Sequence, residues 1–124
     1  MERLKLLLIV ALGLGAAIAA GRAQTTLVVQ KKVSVSRALA GHVDIGITNT
    51  PAKGVSVDLC SSDWKAILAS TKTDDSGYFS LSAPTTARLY YIRLSAPGVN
   101  PYQLRVRLKK NAPAELKIHL SIAS

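Results

Sequence analysis

The sequence contains a single cysteine, Cys60, in a chain of 124 residues. An internal disulfide is therefore excluded, although small exported domains often depend on paired cysteines for stability. We expect the fold to be stabilised by its hydrophobic core instead. Two states of Cys60 remain open: a buried, small apolar residue, or an exposed thiol able to cross-link two chains.

Sequence patterns for catalysis and metal binding are missing as well. The two histidines, His42 and His119, lie far apart, and the chain has no Cys-x-x-Cys or His-x-x-x-His pair. Cys60 with either histidine lacks the nucleophile elbow, the glycine-rich oxyanion loop and the orienting third group of a thiol enzyme. The glycines are scattered and form no nucleotide-binding loop. The sequence therefore predicts a non-enzymatic protein without a metal or cofactor.

Long apolar runs are absent except at the start of the chain. Arg3 and Lys5 give a positive beginning, residues 6–20 follow without a charge, and residues 21–23 read Gly-Arg-Ala. These are the three regions of a cleavable secretory signal peptide, which we predict over residues 1–23. The apolar run has about fifteen residues, fewer than the roughly 20 of a spanning helix, so an uncleaved membrane anchor is the less favoured alternative.

The preferred cleavage site lies between Ala23 and Gln24, and a cut after Ala19 or Ala20 is the alternative. No cysteine lies near the cut, which argues against a lipoprotein anchor. Cleavage leaves enough chain for one domain, and we expect it to be secreted, periplasmic or extracellular. Residues 24–124 contain 13 Lys and Arg against 6 Asp and Glu, a net charge of +7. This excess of positive charge favours acidic partners and anionic surfaces.

Apolar residues recur at every second position in the mature part of the chain. The alternation is strict over residues 55–59, 102–108 and 116–122. Period two is typical of strands with one face on a core and one face in water. It predicts an all-β, antiparallel sandwich of seven to eight strands, with a closed barrel as the weaker alternative. The predicted strands are 26–35, 41–47, 54–60, 65–72, 77–82, 88–95, 102–109 and 115–122.

Tight turns are predicted where polar and glycine residues interrupt this alternation. Gly54 allows the chain to turn before the strand that follows it, and Gly77 supplies the same backbone freedom. Asp74 caps the turn of residues 74–77 through its side-chain oxygen. A calcium loop is the alternative, but the segment lacks the alternating ligands and the terminal Glu of an EF-hand.

The order of these segments resembles a known family. The segments are Gly41-His42-Val43-Asp44-Ile45, Thr50-Pro51-Ala52-Lys53-Gly54-Val55-Ser56-Val57-Asp58-Leu59, Thr71-Lys72-Thr73-Asp74-Asp75-Ser76-Gly77-Tyr78-Phe79-Ser80-Leu81 and Tyr91-Ile92-Arg93-Leu94-Ser95-Ala96-Pro97-Gly98. Together they are similar to the carboxypeptidase regulatory-like domain, including its Pro-x-x-Gly-Val-x-Val strand and its Thr-Asp-x-x-Gly-x-Phe hairpin.

The resemblance implies a transthyretin-like, Ig-like β-sandwich with a carbohydrate-binding-like fold, acting as an accessory or interaction module. It covers roughly residues 40–122. The expected domain organisation is therefore a signal peptide at 1–23, an N-terminal arm and first strand at 24–39, and the sandwich at 40–124.

One candidate binding patch follows from the last two predicted strands. If they form a hairpin across residues 110–114, their polar sides share one sheet face, with neighbouring side chains about 5 Å apart. The candidate anion- or glycan-binding residues are Arg105, Arg107, Lys109, Lys117 and His119. Such a patch suits anionic glycans or envelope polymers, whereas a solvated face that protects a sheet edge is the alternative.

Trp64 is the candidate for stacking on a sugar, because it follows the predicted loop Ser61-Ser62-Asp63. Packing over one end of the sandwich is the alternative for this side chain. The six aromatic residues comprise one Trp, one Phe and four Tyr and are spread over different segments.

Two functions remain open at this stage. The first is a non-catalytic interaction or structural module of the cell envelope with a protein partner. The second is binding of anionic glycans or envelope polymers through the basic hairpin. A long, uncovered edge strand favours the first, because such a strand accepts a partner by β-augmentation.

Overall fold

The computed structural model describes residues 24–82 and 87–124. The predicted signal peptide at residues 1–23 lies outside the described residues. Every regular element in the described ranges is a β-strand, so the predicted all-β class is confirmed. In this part of the chain, no helix is long and apolar enough to cross a membrane.

The described part of the chain contains ten strands, and several are only two or three residues long. They are β1 (Val28–Val29), β2 (Ser34–Ser36), β3 (Ala40–Ile45), β4 (Thr50–Pro51), β5 (Ser56–Cys60), β6 (Ile67–Lys72), β7 (Tyr78–Ser80), β8 (Tyr90–Ser95), β9 (Tyr102–Leu108) and β10 (Leu116–Leu120).

Six strands form the larger sheet, in the order β1-β9-β8-β5-β6, with β2 also paired to β9. Strands β9, β8, β5 and β6 are mutually antiparallel. Strands β1 and β2 run parallel to β9 and extend along the same side of it. The first predicted strand, residues 26–35, is thus divided into two short strands of the large sheet.

Four strands form the smaller sheet, in the order β10-β3-β4, with β7 also paired to β3. Strand β10 is parallel to β3, and Ile118 lies opposite Val43. Strands β4 and β7 share the other side of β3, both antiparallel to it. Both sheets are therefore mixed, and the sandwich has more strands than the seven to eight predicted.

The core lies between the two sheets and is formed by the alternating apolar positions. Their inward side chains are almost completely shielded from solvent, which is the main source of stability in a chain without a disulfide. The large sheet contributes Val57, Leu59, Ile92, Leu94, Leu104 and Val106, and the small sheet contributes Val43, Phe79, Leu116, Ile118 and Leu120.

The predicted hairpin between the last two strands is wrong. Strand β9 lies in the large sheet beside β8, whereas β10 lies in the small sheet beside β3. After β9 the chain turns at Lys109–Ala112 and crosses to the other sheet, where Arg37 N donates to the Pro113 carbonyl at 2.9 Å. The alternating pattern specifies which face is buried but does not specify the pairing partner, so both arrangements satisfy it.

Candidate functional site

The predicted basic patch is divided between opposite sides of the molecule. Arg105 and Arg107 alternate with buried residues of β9 and lie on the outer face of the large sheet. Lys117 and His119 alternate with buried residues of β10 and lie on the outer face of the small sheet. Lys109 follows β9 and is exposed. The structure therefore does not bring the five residues together, because their strands belong to different sheets.

A different cationic group occupies the outer face of the large sheet. Arg93 alternates with the buried residues Ile92 and Leu94 of β8, so its side chain lies on the same face as those of Arg105 and Arg107. In the register of β8 and β9, Arg105 lies opposite Tyr91. Arg93 was missed by the sequence analysis, although the alternation in Tyr91-Ile92-Arg93 places it outward.

Two of these arginines are anchored to backbone carbonyls. Arg105 donates from Nη2 to the carbonyl oxygen of Lys31 at 2.5 Å. Arg93 donates from Nη1 to the carbonyl oxygen of Trp64 at 3.4 Å, a long contact. A guanidinium has five N–H donors, so each contact leaves most of them available.

Trp64 lies beside this group, at the turn between β5 and β6. Its indole packs edge-on against Tyr91, with ring centroids 5.5 Å apart and an interplanar angle of 88°. Its backbone has a positive φ of 65°, and its N–H donates to the Ser61 carbonyl at 2.9 Å. We call Trp64, Tyr91, Arg93, Arg105 and Arg107 the arginine face.

The turn that positions Trp64 is held by its own side chains. Asp63 Oδ1 accepts hydrogen bonds from the Ser61 hydroxyl at 2.6 Å and from Lys65 N at 3.0 Å. These hydrogen bonds lower the pKa of the Asp63 carboxyl from its ordinary value, and the bond from Ser61 has the largest effect. The Ser61 hydroxyl also accepts from Ala66 N at 3.0 Å. A bonded turn of this kind fixes where the indole lies.

Acidic residues are distributed unevenly around the arginine face. Asp58 lies opposite Arg93 in the register of β5 and β8, and its Oδ1 accepts the Ser70 hydroxyl at 2.6 Å. Arg105 and Arg107 instead lie opposite Tyr91 and Val35. The charges of Arg105 and Arg107 are therefore not balanced by an acidic residue in the directly opposite position on the neighbouring strand.

The outer face of the small sheet has a different chemistry. His119 Nδ1 lies 2.5 Å from Asp44 Oδ1, directly across β10 and β3. His42 is bonded to Glu115 through Nδ1 and also packs against Tyr78, with ring centroids 5.2 Å apart. The first pair connects β10 to the parallel strand β3, and the second connects β3 to Glu115, the residue before β10.

Strand β6 forms one edge of the large sheet, and β1 and β2 form the other. Among the described strands β6 pairs with β5 alone. Ile67 and Leu68 are 55 % and 64 % exposed. The pairing shifts register at this end, so that Ile67 lies opposite Cys60 and Ala69 lies opposite Leu59. Strand β6 therefore presents apolar side chains to solvent, and no second strand of the described residues pairs with it.

Cys60 is buried, with 2 % of its surface exposed. Burial raises the pKa of its thiol, with Arg93 opposing and Asp58 adding to the shift. Cys60 lies on the large sheet, whereas His42 and His119 lie on the outer face of the small sheet, so the structure does not pair thiol and imidazole. In residues 24–82 and 87–124, no group of three His, Cys, Asp or Glu residues could hold a metal ion.

The three predicted turn residues, Gly54, Asp74 and Gly77, lie in loops between strands: Gly77 N donates to the Asp74 carbonyl at 2.9 Å, and Gly54 N donates to the Thr73 carbonyl at 3.0 Å. Asp74 Oδ1 accepts from Ser76 N at 2.9 Å, from the Ser76 hydroxyl at 2.8 Å and from Tyr78 N at 3.0 Å. Gly77 and Gly54 have positive φ values of 82° and 75°. The Asp74 carboxylate is thus used by its own turn.

Neither protein-family models nor curated proteins match this chain. A function for this chain is therefore inferred from the surfaces of the molecule. Two of them are candidates for binding, the edge strand β6 and the arginine face. Strand β5 lies between β6 and the strands that carry the arginines, and Trp64 lies in the turn that leads into β6.

Proposed function

We propose that the chain is an exported, non-catalytic β-sandwich of the carboxypeptidase regulatory-like type, which binds a protein partner at the cell envelope. In this proposal an extended segment of the partner adds to the large sheet beside β6. The observation that carries the proposal is the uncovered edge of β6, which pairs with β5 alone among the described strands.

The features that usually block strand addition are confined to the two ends of β6, the register shift at its start and Lys72 at its end. Natural edge strands are protected by charges, prolines, bulges or a covering element. Residues 67–71 read Ile-Leu-Ala-Ser-Thr, without a charge or a proline. The register shift lies at the beginning of the strand, and the following pairs, from Ala69 to Lys72, are regular. Four consecutive residues are therefore in regular register with β5.

The backbone groups available to a partner follow from the ladder with β5. Thr73 N donates to the Val55 carbonyl at 3.0 Å. Hydrogen-bonded pairs alternate along an antiparallel ladder, so Thr71 and Ala69 also bond toward β5. The N–H and C=O groups of Ser70 and Lys72 then face the open edge, where an added strand pairs with them.

The side chains around the edge indicate the chemistry of the partner. Lys65 precedes β6 and Lys72 ends it, and both are exposed. Ile67 and Leu68 provide apolar surface near the first of these lysines. An extended peptide with a central apolar residue and acidic residues toward its ends complements this arrangement, and the net charge of +7 on residues 24–124 attracts it.

A proline at an outward-facing amide tests the proposal. Ser70→Pro removes an edge N–H without removing a hydrogen bond to β5, which a proline on an edge strand permits. Ser70→Ala is the matched control, because both variants lose the hydroxyl bonded to Asp58 and only one loses the amide. The probe is a fluorescent peptide with Val at its centre and Glu toward both ends, measured by anisotropy and by amide hydrogen exchange.

We expect the peptide to bind the unmodified protein and Ser70→Ala, and to slow exchange at Ser70 and Lys72. Binding to Ser70→Pro should fall at least about tenfold, because a strand needs consecutive backbone bonds. Equal binding to the two variants, or protection of a different strand, would contradict strand addition at β6.

A further inference from the structure

We propose that the arginine face is a second binding site, which takes an acidic polysaccharide bearing carboxylate or sulfate groups. Arg105 and Arg107 contact the anionic groups, and Tyr91 with Trp64 provides an apolar surface for a sugar ring. The arginines of this site lie on β8 and β9, which β5 separates from β6, whereas Trp64 lies in the turn that leads into β6.

The charge of the face is the first argument. Strands β8 and β9 place three guanidinium groups outward, and the acidic residue that faces them from β5 is Asp58. Asp58 lies opposite Arg93 and accepts a hydrogen bond from Ser70. Arg105 and Arg107 therefore retain a net positive charge toward solvent, which attracts anionic ligands over a distance of about the Debye length.

The spacing of the charges favours a polymer over a small anion. Arg105 and Arg107 are two residues apart on one strand, so their Cα atoms are separated by roughly 7 Å. Arg93 lies diagonally across from Arg105, at a separation of roughly 7–8 Å. Successive carboxylate or sulfate groups along a polymer contact such spaced arginines in turn and bind together, an advantage that a single small anion does not have.

The anchoring of the arginines prepares the site. The bond from Arg105 to the Lys31 carbonyl fixes the position of one guanidinium. The bond from Arg93 to the Trp64 carbonyl connects the second guanidinium to the aromatic residues. Side chains held in place lose less conformational freedom on binding, and a planar guanidinium binds carboxylate or sulfate through two parallel hydrogen bonds.

The aromatic residues favour a sugar over a nucleic acid. Trp64 and Tyr91 are both half-buried and pack edge to face against each other at one end of the face. Binding of single strands usually needs successive aromatic rings on which successive bases stack. One aromatic pair beside a row of cations is instead suited to one sugar ring of a charged chain. Acidic polysaccharides are also polymers that an exported protein meets.

Charge-matched variants test this site. Arg105→Gln/Arg107→Gln removes two positive charges from the arginine face. Lys110→Gln/Lys117→Gln removes two charges elsewhere, because Lys110 is exposed after β9 and Lys117 lies outward on the small sheet. The probes are heparin and polygalacturonate, with dextran as the uncharged polysaccharide and single-stranded DNA as the alternative polyanion. Affinity is measured by titration at several salt concentrations, after thermal unfolding shows that each variant is folded.

We expect Arg105→Gln/Arg107→Gln to bind both acidic polysaccharides about tenfold more weakly, and the control less than about twofold more weakly. Dextran should not bind. Equal losses in the two variants would show attraction by net charge alone and would overturn the site. Tighter binding of DNA than of either polysaccharide would overturn the assignment of the ligand.

A third variant examines the aromatic part of the site without changing charge. Tyr91→Leu keeps an apolar side chain and removes the ring that lies opposite Arg105 and against Trp64. We expect weaker binding of polygalacturonate with an unchanged salt dependence, since the ionic contacts remain. Unchanged affinity would exclude the aromatic pair from the site.

Discussion

Thr73 and Val55 are joined by two hydrogen bonds of different kinds. Thr73 N donates to the Val55 carbonyl at 3.0 Å, and Val55 N donates to the Thr73 hydroxyl at 2.8 Å. The same hydroxyl donates to the carbonyl of Ala52 at 2.5 Å. A buried side chain thus replaces a backbone partner where β5 begins and β6 has just ended, and it fixes the turn before β5.

Replacing this hydroxyl should destabilise the whole domain. Thr73→Val keeps the shape of the side chain but leaves a buried amide and a buried carbonyl without their partner, at a cost of about 1–3 kcal/mol. Thr73→Ser keeps the hydroxyl and should cost less. Urea unfolding followed by circular dichroism measures both free energies of unfolding. Similar losses in the two variants would contradict the role of the hydroxyl.

Two glycines with similar backbone angles should respond differently to alanine. A Cβ at Gly77 would lie 2.3 Å from the Val43 carbonyl oxygen, whereas a Cβ at Gly54 meets no atom within 4 Å. Gly54→Ala should cost about 1–2 kcal/mol, the penalty of positive φ alone. Gly77→Ala should cost clearly more, because the backbone of β3 must also shift. Thermal unfolding of both variants checks the order, and equal losses would contradict the close approach of β3.

The turn aspartate should make stability depend on acid pH. Hydrogen bonds hold the pKa of the Asp74 carboxyl below its ordinary 3.8. The bond from the Ser76 hydroxyl has the largest effect, and that from Tyr78 N the next largest. Because the folded pKa is the lower one, the stabilisation is complete above the unfolded pKa and is lost as pH falls through the folded value. Asp74→Asn should therefore be less stable than the parent at neutral pH, and the difference should shrink in strong acid.

Thermal unfolding of parent and Asp74→Asn at a series of pH values measures this difference. Asp75→Asn is the control, since this neighbour is exposed and forms its 3.1 Å ion pair with Lys53. A pH-independent difference between Asp74→Asn and the parent would show that the carboxylate charge has no part in the turn.

The buried thiol should be unreactive in the folded protein. Cys60 is 2 % exposed and burial raises its pKa, so little thiolate is available near neutral pH. We expect alkylation by iodoacetamide to be slow in buffer and fast in denaturant, with no cross-linked dimer under mild oxidation. Rapid labelling of the folded chain would show that the site opens and would restore the cross-linking alternative for Cys60.

The sequence predicted which residues form the core, because period-two alternation places all the apolar side chains of a strand on one face. Burying Val55, Val57 and Leu59, or Leu116, Ile118 and Leu120, requires strands with one face inward. The strand positions followed from the same pattern and from glycine and aspartate at the turns. The short strands β1 and β2 were predicted as one strand and β4 was not predicted, because two or three residues contain no detectable period, whereas β7 lies within the predicted strand 77–82.

The binding surfaces depend on pairing, which alternation does not encode. Arg105 and Lys117 both alternate with core residues, and the sequence alone allowed them to share one face. The tertiary structure places β9 beside β8 and β10 beside β3, which separates Lys117 from Arg105 and brings Arg93 to it instead. The free edge of β6 was likewise decided by strand order. By itself the sequence determined which side chains of each strand face the core and which face solvent, since this depends on each residue's own polarity. Only the tertiary structure decided which strands are neighbours, since strand pairing depends on how the two sheets share one core.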